Sequence, residues 1–220
     1  MMHIGHFTFN SFQTSCYVVW DESGNCAFID PGCSNPKEIS ALKEFVVSKN
    51  LKPTCIMLTH CHFDHIYGAA SLSKDFQIPV YAGESELYTL ESTNPTVCGA
   101  YSLPIPEAIQ FTAVPEGETI PVGSAKLEVI ETPGHSRGGL CFLDRSSKVL
   151  FSGDTLFAGA IGRTDHPGGD YDQLMKSIFE KLMVLDGDIK VFPGHGPSTD
   201  IATERNTNPF LMPFNEPLED

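Results

Sequence analysis

The chain has 220 residues, enough for one sizeable core, and 41% of them are hydrophobic, an ordinary content for a globular chain. Lys and Arg number 14 against 28 Asp and Glu, a formal charge of −14, so the basic surface that holds nucleic acid or an anionic membrane is not expected. Seven cysteines of odd count without a CxxC pair, no signal-peptide blocks and no apolar run of bilayer length predict a cytoplasmic chain with reduced thiols.

In chain order, His3 and His6 read as surface residues. Cys16-Tyr17-Val18-Val19-Trp20 and Cys26-Ala27-Phe28-Ile29-Asp30, joined by Asp21-Glu22-Ser23-Gly24-Asn25, predict a β-hairpin. Asn35-Pro36 opens a helix whose buried face is Ile39, Leu42, Phe45 and Val46, and Asn50 and Pro53 end it. A strand over Thr54 to Leu58, apolar as befits one covered on both faces, runs into Thr59-His60-Cys61-His62-Phe63-Asp64-His65. A short helix is expected from about Ile66 to Phe76, then a strand over Ile78 to Ala82. Prolines at 95, 104, 106 and 115 break all periodicity between 83 and 116, which reads as a partly helical loop near the opening of a site. Tyr88 and Tyr101 there are expected to pack, with substrate contact as the alternative. From Ala125 the pattern becomes regular again. A strand over Lys126 to Ile130 ends in Thr132-Pro133-Gly134-His135, and a hairpin of Leu140–Leu143 with Lys148–Phe151 ends at Asp154. Asp170 caps a helix whose expected apolar face is Tyr171, Leu174, Met175, Ile178, Phe179, Leu182 and Met183, stopped by Gly187. The last strand, Ile189–Phe192, delivers His195.

Histidines two apart at the end of an extended segment point the same way, so His60 and His62 suit one ion, while Asp64 and His65 begin the next turn and face a second. His135, Asp154 and His195 each follow an apolar strand and sit beside a glycine, where the backbone turns sharply. Any one of these histidines alone could be satisfied by a backbone carbonyl. Several strand ends carrying the same residue types make one metal site. Imidazole and carboxylate without thiolate suit zinc first, with iron or manganese as alternatives. Cys61, turned away by alternation, is expected to pack.

The HxHxDH run followed by isolated His, Asp and His resembles the metallo-β-lactamase superfamily. Gly153-Asp154-Thr155-Leu156-Phe157, Gly162-Arg163-Thr164-Asp165 and Pro193-Gly194-His195-Gly196-Pro197-Ser198-Thr199 are most similar to its glyoxalase II-like, or hydroxyacylglutathione hydrolase-like, compact bacterial members. The resemblance implies an α/β fold, a four-layer α/β/β/α sandwich, over a single domain of residues 1–220. It implies His60, His62 and His135 on one divalent ion, Asp64, His65 and His195 on a second, and Asp154 bridging both. The implied reaction is hydrolysis of S-(2-hydroxyacyl)glutathione-like thioesters by a metal-bridging hydroxide that Asp64 orients. Asp30 either caps its turn or supports the site. Glutathione-cleaving members continue into a C-terminal helical domain, whereas 25 residues follow His195 here, so that domain is not expected. Arg163 is the candidate for a substrate carboxylate, with Asp165 pairing with it or capping the loop; Arg205 is expected to be structural. The alternatives are a mononuclear iron persulfide dioxygenase, a lactonase or β-lactamase, and a binding module with structural ions. The partner expected is a small-molecule thioester.

Overall fold

Strand residues buried on alternate faces set the layering. In the computed structural model, which describes residues 2–212, strands β1 (His3–Phe9), β2 (Thr14–Trp20), β3 (Asn25–Ile29), β4 (Lys52–Met57), β5 (Val80–Ala82) and β6 (Thr112–Ala113) form one sheet in sequence order. The first three are antiparallel neighbours, and β3 to β6 are parallel. The second sheet has the order β14-β13-β10-β9-β8-β7. Its members are β7 (Thr119–Val122), β8 (Ala125–Glu131), β9 (Leu140–Asp144), β10 (Val149–Gly153), β13 (Lys190–Pro193) and β14 (Thr199–Asp200). A small hairpin of β11 (Leu156–Phe157) and β12 (Ala160–Ile161) lies between β10 and the following helix in sequence.

Along β2, Tyr17 and Val19 face the second sheet, packing in one cluster with Met57, Leu127, Val129, Phe142 and Phe151. Their neighbours Cys16 and Val18 face the opposite way, into a cluster with Phe28, Ile56, Leu42 and Val46 of α1 (Pro36–Ser48), and Leu72 of α3 (Ala69–Phe76). Cys141, Leu143, Leu150 and Val191 of the second sheet likewise meet Leu174, Ile178 and Leu182. These belong to α5 (Tyr171–Ser177) and its wider continuation Ile178–Leu182. Period-two alternation with both faces apolar therefore produces the expected four-layer α/β/β/α sandwich. Helix starts follow their caps: Asn35 Oδ1 accepts from the N–H of Lys37 and of Glu38, and Asp170 Oδ1 from that of Gln173.

Several expectations change. His3 and His6 are surface residues, but on strand β1, whose pairing with β2 extends the predicted hairpin by one strand. β7 contains Pro121 and was not expected from the sequence; it is an edge strand, where a missing N–H is tolerated. The helix after His65 is two helices, α2 (Phe63–Ile66) and α3, separated by Tyr67-Gly68. Tyr171 and Phe179 are 46% and 47% exposed and leave the apolar face of α5, which ends before Gly187. Residues 83–116 hold a turn of 3₁₀ helix at Glu84–Glu86, a π turn at Thr89–Thr93 and α4 (Asn94–Tyr101). In α6 (Ile201–Thr207), Arg205 donates to the carbonyls of Met183 and Leu185, a structural role.

Candidate metal centre

All the candidate ligands follow the C-terminal ends of strands: His60 to His65 after β4, His135 after β8, Asp154 after β10 and His195 after β13. β10 and β13 are parallel neighbours, and the N–H of Gly194 donates to Gly153 O at 2.8 Å, so Asp154 and His195 leave the sheet side by side. The N–H of Leu140 donates to Thr59 O, and that of Ser15 to Gly194 O, each at 2.7 Å, tying the two sheets together at this edge. A Cβ on Gly194 would overlap Asp154 Oδ1 and lie 2.7 Å from His65 Cε1. Glycine is therefore required there by the closeness of the ligands.

Donor atoms of His60, His62 and His135 lie within 4.8 Å of one another, as do those of Asp64, His65 and His195. His62 Nδ1 is 2.9 Å from His135 Nε2, and His65 Nε2 is 3.3 Å from His195 Nε2. Asp154 faces both groups: Oδ2 is 3.5 Å from Nε2 of His135 and of His195, and Oδ1 is 3.5 Å from His65 Nε2. The seven residues singled out in the sequence thus converge.

The far side of four of the five rings is held by the chain. His65 Nδ1 meets Asp30 Oδ2 at 3.1 Å, His135 Nδ1 meets Arg163 O at 2.8 Å, His195 Nδ1 meets Phe12 O at 3.1 Å and His60 Nδ1 meets Thr59 Oγ1 at 3.1 Å. Thr14 Oγ1 donates to Asp64 Oδ2 at 2.7 Å. Such outer partners fix which ring nitrogen carries a proton and aim the other inward.

Electrostatics distinguish the two groups. Burial lowers the pKa of His60 and His62 and takes His135 down to about 4, so these rings are neutral. Burial also opposes charge on His195, but the adjoining carboxylates of Asp154 and Asp64 outweigh it and lift that ring to about 9; His65 is raised for the same reason. Asp64 is held at about 2, and Asp154 well below the carboxylate range, because the charge of His65 and hydrogen bonding to His195 overcome the burial that would raise them. His60 Nε2 and Asp154 Oδ1 are buried without a hydrogen-bond partner. Buried ligand atoms left without a partner, beside carboxylates that demand positive charge, are what a divalent cation satisfies, so these residues fit a metal.

Arg163 lies at the rim of the cleft over the centre, and Asp165 Oδ1 and Oδ2 accept from its Nε and Nη2 at 2.7 and 3.0 Å. Tyr101 lines the cleft; Tyr88 instead lies under the Arg137 guanidinium, 3.5 Å from its ring centroid. Cys61 is fully buried in the core. Three contributors were not singled out in the sequence. His166 lies edge-on to His62 and His135, with centroids at 4.7 and 4.9 Å, and its buried Nε2 has no partner. Glu86, fully buried, accepts from the N–H of Cys61 at 2.6 Å and of Gly138 at 3.0 Å, clasping the two ligand loops together. Thr14 carried no signal; His166, next to the Gly162–Asp165 motif, did.

The family model of the metallo-β-lactamase superfamily matches residues 10–195. The chain belongs to that superfamily. Among similar relatives, a Haemophilus influenzae protein named hydroxyacylglutathione hydrolase GloC is 37% identical over 215 residues, covering 96% of this chain and 98% of that one. BLEG-1, a B3 metallo-β-lactamase of solved structure, superposes with a TM-score of 0.87 at 34% identity, covering 96% of this chain and 100% of its own. TTHA1623, solved in a di-iron-bound form, superposes with a TM-score of 0.82 at 35% identity, covering 94% and 100%. Membership of the superfamily supports a metallo-hydrolase, with His and Asp groups able to hold divalent metal. No helix among the described residues is long and apolar enough to cross a membrane.

Proposed function

We propose that the protein is a binuclear thioester hydrolase of the hydroxyacylglutathione type. In this reading His60, His62 and His135 hold one divalent ion, Asp64, His65 and His195 hold the other, and Asp154 serves both. The observation that carries it is Asp154: one carboxylate with nitrogens of both histidine groups 3.5 Å from its oxygens. The hydroxyacylglutathione hydrolase relative supports the thioester, and the donor set suits zinc, with iron or manganese as alternatives.

When bound, two such ions lower the pKa of water toward neutrality and stabilise negative charge developing on a carbonyl oxygen. Everything else falls to the chain. Asp64, ionised and fixed by the Thr14 hydroxyl, orients the attacking water, and the partners of His65, His135 and His195 keep the ligand rings from rotating. Attack breaks the C–S bond, leaving a carboxylate and a thiol. Arg163 would receive a substrate carboxylate by exchanging it for Asp165, since both side chains are exposed and lose little on parting. Seven buried, unpaired cysteines suit the reducing cytoplasm, and the net charge of −14 disfavours nucleic acid.

The test is hydrolysis of S-lactoylglutathione by metal-loaded protein, with metal counted on the same sample. Two ions per chain and turnover that Asp154→Ala abolishes without unfolding the protein are expected. One iron per chain, with oxygen uptake on glutathione persulfide and no thioester cleavage, would replace this reading with a dioxygenase.

A further inference from the structure

The cleft over the ligands encloses about 740 Å³, and one of its walls is apolar. α4 contributes Val97, Ala100 and Tyr101, three and four residues apart and hence on one helix face, and Leu103 continues it. Phe12 and Phe63, whose rings meet edge to face at 5.0 Å, line the same cleft. Phe12 is 41% and Tyr101 74% exposed, a large outlay of aromatic surface for residues beside a reaction centre.

The wall is fixed in place. Asn94 Nδ2 at the start of α4 donates to Cys61 O, between the first two histidines, at 2.8 Å, and Thr93 Oγ1 donates to Pro167 O at 2.8 Å. Both side chains are buried, so the helix is anchored to the ligand loop on one side and to the segment carrying Arg163 on the other. Anchored helix and aromatic pair together form a preformed surface adjoining the metal ligands, the usual composition of a small-molecule pocket.

Charge decides what lies on it. Arg163 is the one Lys or Arg among the described residues lining the cleft, so one substrate carboxylate at most finds a cationic partner there. A leaving thiol that carries carboxylates gains nothing from Val97, Ala100, Leu103 and the aromatic rings, whereas a hydrocarbon chain is desolvated along them. We infer that this wall is an acyl subsite, and that the preferred substrate is a thioester whose acyl group is an apolar chain longer than lactoyl. The inference rests on the thioesterase reading for its chemistry, but the binding surface stands or fails separately.

The experiment therefore separates binding from turnover. Dissociation constants of S-alkylglutathione thioethers, from methyl to octyl, are measured by calorimetry on metal-loaded protein, beside kcat/KM for acylglutathiones from acetyl to octanoyl. Each added methylene is expected to tighten binding by roughly two- to fourfold until the wall is covered, with kcat/KM rising in the same order. Ala100→Asp, at an exposed helix position with the melting curve as a check on folding, should flatten both series. Binding that does not change along the thioether series would overturn the subsite, as would thioethers that bind in order while short acyl groups turn over fastest. Ordered binding without hydrolysis of any thioester would leave the subsite standing and remove the thioesterase reading instead.

Discussion

Asp30 offers the sharpest test of how the chain supports its ligands. The carboxylate is buried at the end of β3 and accepts three hydrogen bonds: from the N–H of Thr59 at 2.8 Å, from Thr59 Oγ1 at 2.5 Å and from His65 Nδ1 at 3.1 Å. Its φ of 49° lies in the left-handed region that Asp and Asn tolerate better than Ala. Asp30→Ala strands a buried N–H and a buried imidazole, and breaking a buried charged pair of this kind costs about 3–5 kcal/mol; the backbone adds about 1 kcal/mol. Asp30→Asn preserves shape and backbone and keeps one acceptor for Thr59, so its cost should be nearer the ~1–2 kcal/mol of a single mismatched hydrogen bond. The two variants should nevertheless agree on metal. With no acceptor for Nδ1–H, His65 is free to carry its proton on Nε2, the nitrogen that faces Asp64, Asp154 and His195, and loss of such an outer partner lowers metal affinity about 10–100-fold. Urea unfolding of metal-free protein measures the first effect and chelator competition the second. An Asn variant with wild-type metal affinity would refute the claim that Asp30 sets the His65 tautomer.

Other perturbations bear on the rest of the centre. Gly194→Ala should fold with its sheets intact yet lose at least about tenfold in metal affinity, because the added carbon displaces Asp154 and His65; unchanged metal content by elemental analysis would count against the geometry. Glu86→Ala should cost about 2–4 kcal/mol in urea unfolding, leaving the buried N–H groups of Cys61 and Gly138 without acceptors. His166→Leu removes a buried, unpartnered nitrogen and should leave metal-free stability unchanged or raise it by about 1 kcal/mol. The pH dependence of the metal-free protein follows from His195, whose folded pKa of about 9 exceeds its ordinary 6.5. Its stabilisation is complete below 6.5 and is lost as pH rises through 9. Relative to His195→Gln, wild-type stability in the presence of a chelator should therefore decline across that window, and parallel curves would mean the ring is not held charged by Asp64 and Asp154.

The convergence of the candidate ligands was legible because their chemistry is dense and their positions repeat: a run of apolar β residues, then His or Asp beside Gly. The same run of hydrophobic residues made β2, β3, β4, β8, β9 and β10 readable. What failed did so for identifiable reasons. β1 mixes His, Gly and Thr with its apolar residues and takes its identity from pairing with β2, a contact the local pattern does not contain. β7 holds a proline that only an edge position excuses. The segment 83–116 reads as a partly helical loop, as found, but α4 within it has no readable periodicity, because Asn94-Pro95 opens it, Gly99 interrupts it and Cys98 is the one buried apolar residue it holds.

This last point explains why reaction chemistry is easier to read in such a chain than substrate choice. A metal centre needs a few residue types whose donor atoms meet within ångströms, and strands β4, β8, β10 and β13 bring them together wherever the sheets form. The cleft above is assembled from Phe12, Phe63, Val97, Tyr101, Arg163 and His166, which come from four separate stretches and share no repeated pattern of residue types. Hydrogen bonds from Asn94 and Thr93 to main-chain carbonyls bring the substrate wall to the centre, and such bonds leave no periodic trace. On the proposed thioesterase reading, a change within residues 93–103 would therefore redirect the protein to another acyl group while every candidate ligand, and the reaction they would support, stays in place.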